Sequence, residues 1–240
     1  MTEQQLAEIR QRQRRDKSMN ELEIEEVRRC LDARWDLASA LKTRELLEKS
    51  INQELTFEEY LEYDDGTDYF YELWSGELVR LPPDSGTGGW IASWLMMELS
   101  KFTNKRLVFP SRSCEIQVPG NPQNRYPRLI VLKPEHLELL KERLTITLDM
   151  PPPQLVVEIV TPYNDLDNEK PKCNYIDKRQ QYQERNIPEY WIIDIQSQIV
   201  SVLLLVNGSY QATSFTGSQQ IVSQVFSDLE LTAVQIFEAR

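Results

Sequence analysis

The hydrophobic pattern is clearest in the second half of the chain, where two short apolar runs flank a polar stretch. The first run, LVVEIV at 155–160, is apolar except for Glu158, and the second, EYWIID, occupies 189–194. Short apolar runs without helical periodicity are typical of buried strands. The segment 175–185 between them is predicted to be a helix that ends before Pro188. The pattern therefore predicts a right-handed βαβ unit with parallel strands.

Apolar segments on either side predict the remaining elements. Strands are predicted at 70–73, 77–81, 107–109, 114–118 and 128–132, helices at 57–63 (capped by Thr56), 90–102, 135–141 and 231–239, and a hairpin at 199–206 and 210–215 that turns at Asn207-Gly208. Together they predict an α/β fold. Its mixed central sheet is expected to contain the strands near 77–81, 107–118, 128–132, 154–160 and 189–194, with flanking helices at 88–103 and 175–186 and the hairpin appended.

Residues 1–52 have a different pattern. Apolar residues such as Ile24, Val27 and Leu31 recur at helical spacing. Four arginines within 10–15 are consistent with a nucleic-acid contact or with a solvated helix face, because acidic residues follow closely. We therefore expect a helical extension at 1–52, used for docking or homo-oligomerisation, before a domain at 53–240.

The charge and cysteine content restrict the class of protein. The net charge of -11 argues against broad electrostatic attraction to nucleic acid, although a local basic groove or a bound metal ion could offset phosphate charge. The three cysteines are scattered without metal-like spacing, which favours a reducing cytoplasm. No stretch has the length and apolarity of a membrane span, and the N-terminus has no apolar core typical of a secretory signal.

Glu158 is the residue whose chemistry most needs an explanation. A carboxylate inside a buried strand is costly unless it is paired or binds a metal. Lys178 and Tyr182 share one face of the predicted helix, because they are four residues apart. The residues alone leave open a structural acid paired with Lys178 or Arg128, or a functional site. The single histidine, His136, is expected to be exposed and incidental, since no Ser or Cys partner pattern accompanies it.

Three motifs resemble the putative restriction endonuclease family of the PD-(D/E)xK nuclease superfamily. They are LVVEIVTP at 155–162, Tyr175-Ile-Asp-Lys178 followed by Tyr182, and IPEYWIID at 187–194. The likeness also covers YELWSGELVRLPPDSG at 71–86 and extends over about 53–240. It implies a restriction-endonuclease-like fold that hydrolyses phosphodiester bonds of DNA with Mg²⁺ or Mn²⁺.

The resemblance also implies roles for individual residues. Glu158 would bind the metal, Ile159 would offer its backbone carbonyl, and Lys178 would be the catalytic cation, supported by Tyr182. An additional acid nearer the N-terminus would be Glu77, or with less support Glu72.

The chain departs from the family pattern at one site position. The family has an aspartate after the proline of YPDLIVL, whereas this chain has Arg128 in YPRLIVL at 126–132. An arginine cannot bind a cation, so its guanidinium would instead pair with Glu158 and take the place of the metal. The resemblance therefore implies an endonuclease impaired at its metal site. The alternatives are a catalytically inactive nuclease fold that binds nucleic acid or protein, and a structural protein that acts through the helices of 1–52.

Overall fold

The structure, a computed structural model, describes residues 54–141, 143–160 and 171–239. The predicted helical extension, with its arginines at 10–15, lies outside this part of the chain. The chain divides into two compact units. The smaller comprises the described residues up to Leu81 together with Asn121–Gln123, and the larger comprises Pro82–Gly120 and the chain from Asn124 onward. None of the helices in the described ranges is long and apolar enough to cross a membrane.

The smaller unit contains one helix and one hairpin, as the sequence predicts. Its elements are α1 (Phe57–Leu61), β1 (Tyr71–Trp74) and β2 (Glu77–Arg80). Thr56 begins α1 with a capping box, in which its hydroxyl accepts from the Glu59 amide at 3.2 Å and its own amide donates to the Glu59 carboxylate at 2.9 Å. The antiparallel strands β1 and β2 turn through Ser75 and Gly76, both with positive φ.

The larger unit contains the rest of the secondary structure. In chain order its elements are α2 (Gly86–Leu99), a short 3₁₀ helix (Lys105–Leu107), β3 (Val108–Pro110), β4 (Glu115–Gln117), β5 (Asn124–Arg125), β6 (Leu129–Val131), α3 (His136–Leu139), β7 (Thr145–Ile146), β8 (Leu155–Val160), α4 (Pro171–Glu184), β9 (Glu189–Asp194), β10 (Ile199–Val206), β11 (Ser209–Phe215) and α5 (Ala233–Phe237). A six-stranded mixed sheet has the order β11-β10-β9-β8-β6-β3. The predicted α/β fold with a mixed central sheet is therefore confirmed.

The βαβ unit lies at the centre of this sheet. Strands β8 and β9 are parallel neighbours, with Glu158 opposite Ile192, and α4 belongs to the connection between them. Strands β8 and β9 have the predicted bounds, whereas α4 begins at Pro171, earlier than expected. Parallel neighbours need a long connection of this kind, because the chain must return to the starting end of the sheet before the second strand begins.

Three predictions about the central sheet need correction. Within the described residues β2 pairs with β1 in a two-stranded sheet and is not part of the central sheet, and β4 forms a three-stranded sheet with β5 and β7. The predicted hairpin is confirmed at β10 and β11, but it continues the central sheet because β10 pairs with β9 over six residues. Alternating apolarity shows that a strand is half-buried, but it carries no information about which strand it will pair with.

Each face of the central sheet has its own apolar cluster. Val157 and Ile159 of β8 pack in the cluster that also contains Leu95 of α2. Val156, one position along, packs in the cluster that contains Tyr182 of α4. Because side chains alternate along a strand, Glu158 shares the Val156 face and is directed toward α4. This alternation places the one acid of β8 among apolar side chains.

His136 is fully buried, so the expectation that it is exposed is wrong. Its Nδ1 accepts a hydrogen bond from the Lys133 amide at 3.0 Å, and its Nε2 lies 2.9 Å from the Pro151 carbonyl. The first bond leaves Nδ1 unprotonated, so Nε2 carries the proton that it donates to Pro151. The ring therefore joins α3 to the loop before β8, and it has a structural role that local sequence does not reveal.

We expect His136→Ala to lower the free energy of unfolding by about 2–4 kcal/mol, because it leaves a cavity and two unsatisfied backbone groups. Urea denaturation followed by circular dichroism measures the change. Leu139→Ala, in the same helix at a side chain that is 47% exposed, is the control and should change stability little. Equal effects of both substitutions would contradict the structural role of the ring.

Candidate active site

The predicted site residues Glu158 and Lys178 are in contact. Lys178 Nζ lies 2.8 Å from Glu158 Oε1, and the same oxygen accepts a hydrogen bond from the Tyr182 hydroxyl at 2.9 Å. The side chain of Glu158 is 4% exposed and that of Lys178 is 13% exposed. Removal from water strengthens the attraction between the two charges, so each fixes the position of the other.

The position of α4 explains why these three side chains meet. Lys178 and Tyr182 are one helical turn apart, so both face β8 from the same side of α4. The helix is also bonded to the neighbouring strand β11, where the Arg179 guanidinium donates to the Tyr210 carbonyl at 2.9 Å and the Tyr210 amide donates to Gln183 Oε1 at 2.8 Å. Arg179 thus helps to attach α4 to β11.

Tyr182 is a permanently protonated donor to Glu158. Burial raises the pKa of the Tyr182 phenol well above its usual value, and Glu158 and Tyr190 raise it further against the opposing charge of Arg125. The phenol therefore keeps its proton at all physiological pH values and orients Glu158 Oε1. Among the residues that the structure describes, no donor is bonded to the other carboxylate oxygen, Oε2.

The backbone carbonyl of Ile159 points to the side of β8 on which β6 lies, at a position where β6 no longer pairs with β8. The Val157 carbonyl accepts from the Arg128 amide at 3.0 Å, on the side of β6. Carbonyl directions alternate along a strand, so the Ile159 carbonyl points to the same side, past Leu129, the last residue of β6 paired with β8. An oxygen donor is thereby presented next to Glu158.

Arg128 does not pair with Glu158, contrary to expectation. Its guanidinium instead forms an ion pair with Asp84, whose Oδ1 also lies 2.9 Å from Nε of Arg112. The side chain of Arg128 is 4% exposed. Glu158 is already paired with Lys178, so a second cation is not needed to compensate its charge.

Asp84 is the residue at this site that the sequence did not indicate. It precedes Ser85, the N-cap of α2, in the loop PPDSG. Nothing in that loop signals a charged contact, since an aspartate before a cap is ordinary turn chemistry. Only the fold brings it to arginines that lie 28 and 44 positions away in sequence, as Arg112 and Arg128 follow it by these distances.

The predicted additional acids lie in the smaller unit. Glu77 is the first residue of β2 and is half-buried. Glu72, in β1, is buried and accepts a hydrogen bond from the Trp74 indole at 3.1 Å. A role for either acid in binding a metal stays a prediction. In the part of the chain that the structure describes, no group of three or more His, Cys, Asp or Glu side chains is arranged to hold a metal ion.

Comparisons with known proteins agree with this fold. A family model described as putative restriction endonuclease (Uma2) matches residues 57–234. The crystal structure of a putative nuclease from Anabaena variabilis is similar, with 18% sequence identity, a TM-score of 0.56, and coverage of 77% of this chain and 98% of that chain. At this identity the structural likeness shows the fold alone. None of the curated proteins matches the sequence.

The mixed central sheet flanked by helices has the restriction-endonuclease-like fold. The family model covers well over half of the sequence. The chain therefore belongs to the putative restriction endonuclease family.

Proposed function

We propose that this protein is a metal-dependent endonuclease that hydrolyses phosphodiester bonds of DNA, and that Arg128 limits its rate. The observation that carries the proposal is the ion pair of Glu158 and Lys178, 2.8 Å apart, in the second half of β8. Phosphodiester hydrolysis needs an acid to hold a hard cation and a cation near the attacked phosphate. The pair supplies both groups within one buried site.

Each residue of the site has a distinct role. The ammonium of Lys178 would contact a phosphate oxygen and stabilise the charge that develops on it. The Tyr182 hydroxyl donates a hydrogen bond to Oε1 of Glu158 and does not occupy Oε2. Glu158 thereby offers one oxygen to a cation while the other remains bonded to Lys178 and Tyr182.

The oxygen donors of the site fit a divalent cation such as Mg²⁺ or Mn²⁺. Oε2 of Glu158 and the carbonyl of Ile159 would hold it, and Mg²⁺ commonly keeps several waters and uses one or two carboxylates. When bound, the cation supplies an activated water and neutralises phosphate charge. Arg128 opposes it, because a fixed positive charge beside Glu158 weakens cation binding.

The test measures metal binding and DNA nicking in wild type and in Arg128→Asp. We expect wild type to nick supercoiled plasmid slowly with Mn²⁺ and not in EDTA. Arg128→Asp should raise both Mn²⁺ affinity, measured by isothermal titration, and the nicking rate by about tenfold or more, because it replaces a repelling charge with a ligand. The new carboxylate would also lie close to Asp84, and a cation relieves the repulsion between them.

Arg106→Asp is the matched control. Arg106 is exposed in the 3₁₀ helix, so its replacement changes the net charge equally without touching the site. If folded Arg128→Asp protein neither binds Mn²⁺ nor nicks plasmid, the endonuclease proposal is wrong.

A second function is favoured by the ion pair between Arg128 and Asp84. Arg128 occupies the family's metal-binding position, and its charge is already compensated by Asp84. This arrangement suits a domain that binds nucleic acid without cleaving it. This alternative expects wild type to bind DNA in EDTA but to remain inert with Mn²⁺ at every concentration. Nicking by wild type that is lost in EDTA would exclude it.

A further inference from the structure

Two arginines, the half-buried Arg112 and the buried Arg128, converge on one carboxylate oxygen beside the proposed active site. Oδ1 of Asp84 is 2.9 Å from Nε of Arg112 and is also ion-paired with NH1 of Arg128. The side chains of Arg112 and Arg128 are 11% and 4% exposed, and that of Asp84 is 22% exposed. Asp84 is therefore the most exposed of the three side chains, and the two arginines are more deeply buried.

We propose that Arg112 and Arg128 form a phosphate-binding subsite for the DNA backbone, and that Asp84 occupies it as an internal anion until a DNA phosphate displaces it. The proposal rests on the proposed function, since it assigns the substrate contact of the same site. In this proposal Arg128 contributes to substrate binding, although its charge opposes the binding of a metal ion. A guanidinium in this position contacts the phosphate directly.

The chemistry of the trio supports a phosphate in place of the carboxylate. Guanidinium groups present planar sets of donors that match carboxylate and phosphate oxygens equally well. Within the described residues, NH1 of Arg128 is buried, has Asp84 as its ionic partner, and has no hydrogen-bond acceptor. A phosphate that replaced Asp84 would offer this nitrogen and the neighbouring guanidinium donors several oxygens.

The subsite is held rigidly next to the acid–lysine pair. The Arg128 amide donates to the carbonyl of Val157, the residue before Glu158, at 3.0 Å. The Arg112 amide donates to the Pro127 carbonyl at 3.1 Å, and Arg112 adopts a left-handed backbone with φ of 63°. A non-glycine residue in that conformation is strained, and the surrounding contacts must offset the strain. Arg128 is thus attached to the residue before Glu158, and Arg112 to the residue before Arg128.

The setting of Asp84 is favourable for an anion, and the side chain of the acid is half-buried. Asp84 immediately precedes Ser85, the N-cap of the 14-residue helix α2, where the helix dipole adds positive potential. Beyond the cap, Gly86 has open space around its Cα, and the Trp90 side chain is 69% exposed. A DNA backbone can therefore approach the arginines without displacing the core. The overall charge of -11 means that such a contact must be local.

The experiment measures binding of a fluorescein-labelled DNA duplex by fluorescence anisotropy in EDTA, over a range of NaCl concentrations. Arg128→Ala and Arg112→Ala should each weaken binding by about tenfold and reduce the slope of log affinity against log salt by about one. Asp84→Asn should strengthen binding several-fold, because it removes the competing charge. A gain of specific affinity does not result from misfolding. Asp84→Asn therefore tests the subsite even if the Arg128→Ala protein fails to fold.

Arg106→Ala, at the exposed arginine of the 3₁₀ helix, is the matched control for a general loss of positive charge. Equal losses in Arg106→Ala and Arg128→Ala, or weaker binding by folded Asp84→Asn, would overturn the subsite. Because EDTA removes the metal, the result is independent of cleavage. The subsite can hold while wild type fails to nick plasmid, and it can fail while Mn²⁺-dependent nicking is observed.

Discussion

Glu158→Gln is expected to lower the rate of Mn²⁺-dependent plasmid nicking by about a thousandfold or more. The amide has the shape of the carboxylate and can still accept from the Tyr182 hydroxyl, now 2.9 Å from Oε1. It cannot supply the negative charge that a divalent cation requires, and it leaves the ammonium of Lys178, 13% exposed, without its ionic partner. Initial nicking rates over a range of Mn²⁺ concentrations measure the loss.

The matched control is Glu138→Gln, which removes a carboxylate that is 77% exposed and pairs with Lys141. It should leave the nicking rate unchanged. Lys178→Met, which keeps the length of the side chain, should also abolish nicking. Because the two residues form one unit, the double variant should be no slower than either single variant. A rate close to that of wild type in folded Glu158→Gln would remove the carboxylate from the reaction.

Glu189→Ala is expected to produce the largest loss of stability, about 3–5 kcal/mol. This carboxylate is fully buried at the start of β9. Its Oε1 accepts from the Trp191 indole at 2.6 Å and the Ser223 hydroxyl at 2.7 Å, and its Oε2 accepts from the amides of Gln224 and Val225 at 2.7 and 2.9 Å. Removal of the carboxylate leaves all four donors buried or half-buried without their acceptor.

Urea denaturation followed by tryptophan fluorescence suits this measurement, because the Trp191 indole is bonded to the deleted group. Glu230→Ala, at an exposed acid near the C-terminus, is the control and should change the free energy of unfolding by less than about 0.5 kcal/mol. Ser223→Ala should give an intermediate loss, since it removes only one of the four donors. A change below about 1 kcal/mol in Glu189→Ala would show that the carboxylate does not hold 223–226 against β9.

Glu158 and Glu189 show how far a buried acid can be understood from sequence. Each lies in an apolar strand, and the strand pattern predicted both positions within the bounds of β8 and β9. The functions differ because the partners differ: Glu189 accepts four hydrogen bonds from its own strand and the 223–225 segment, whereas Glu158 meets a lysine and a tyrosine. The pattern of apolar residues shows that an acid is buried, but it does not identify the groups around it.

The sequence by itself determined the local structure and the family. The period of the apolar residues, the Thr56 cap and the Asn207-Gly208 turn each act over a few neighbouring residues, so the backbone conformation follows from the residues present. The motifs at 155–162 and 187–194 were likewise sufficient to identify the restriction-endonuclease-like fold, and the family model bears this out.

Only the tertiary structure decided which charges are partners. It placed Arg128 on Asp84 and not on Glu158, buried His136 against the Pro151 carbonyl, and moved β2 out of the central sheet. These contacts join segments 15 to 44 positions apart, as from His136 to Pro151 and from Asp84 to Arg128. Hydrophobic burial is not directional, so it selects buried faces without selecting partners. Ionic and hydrogen-bonded partners are chosen only after packing has fixed the distances between those faces.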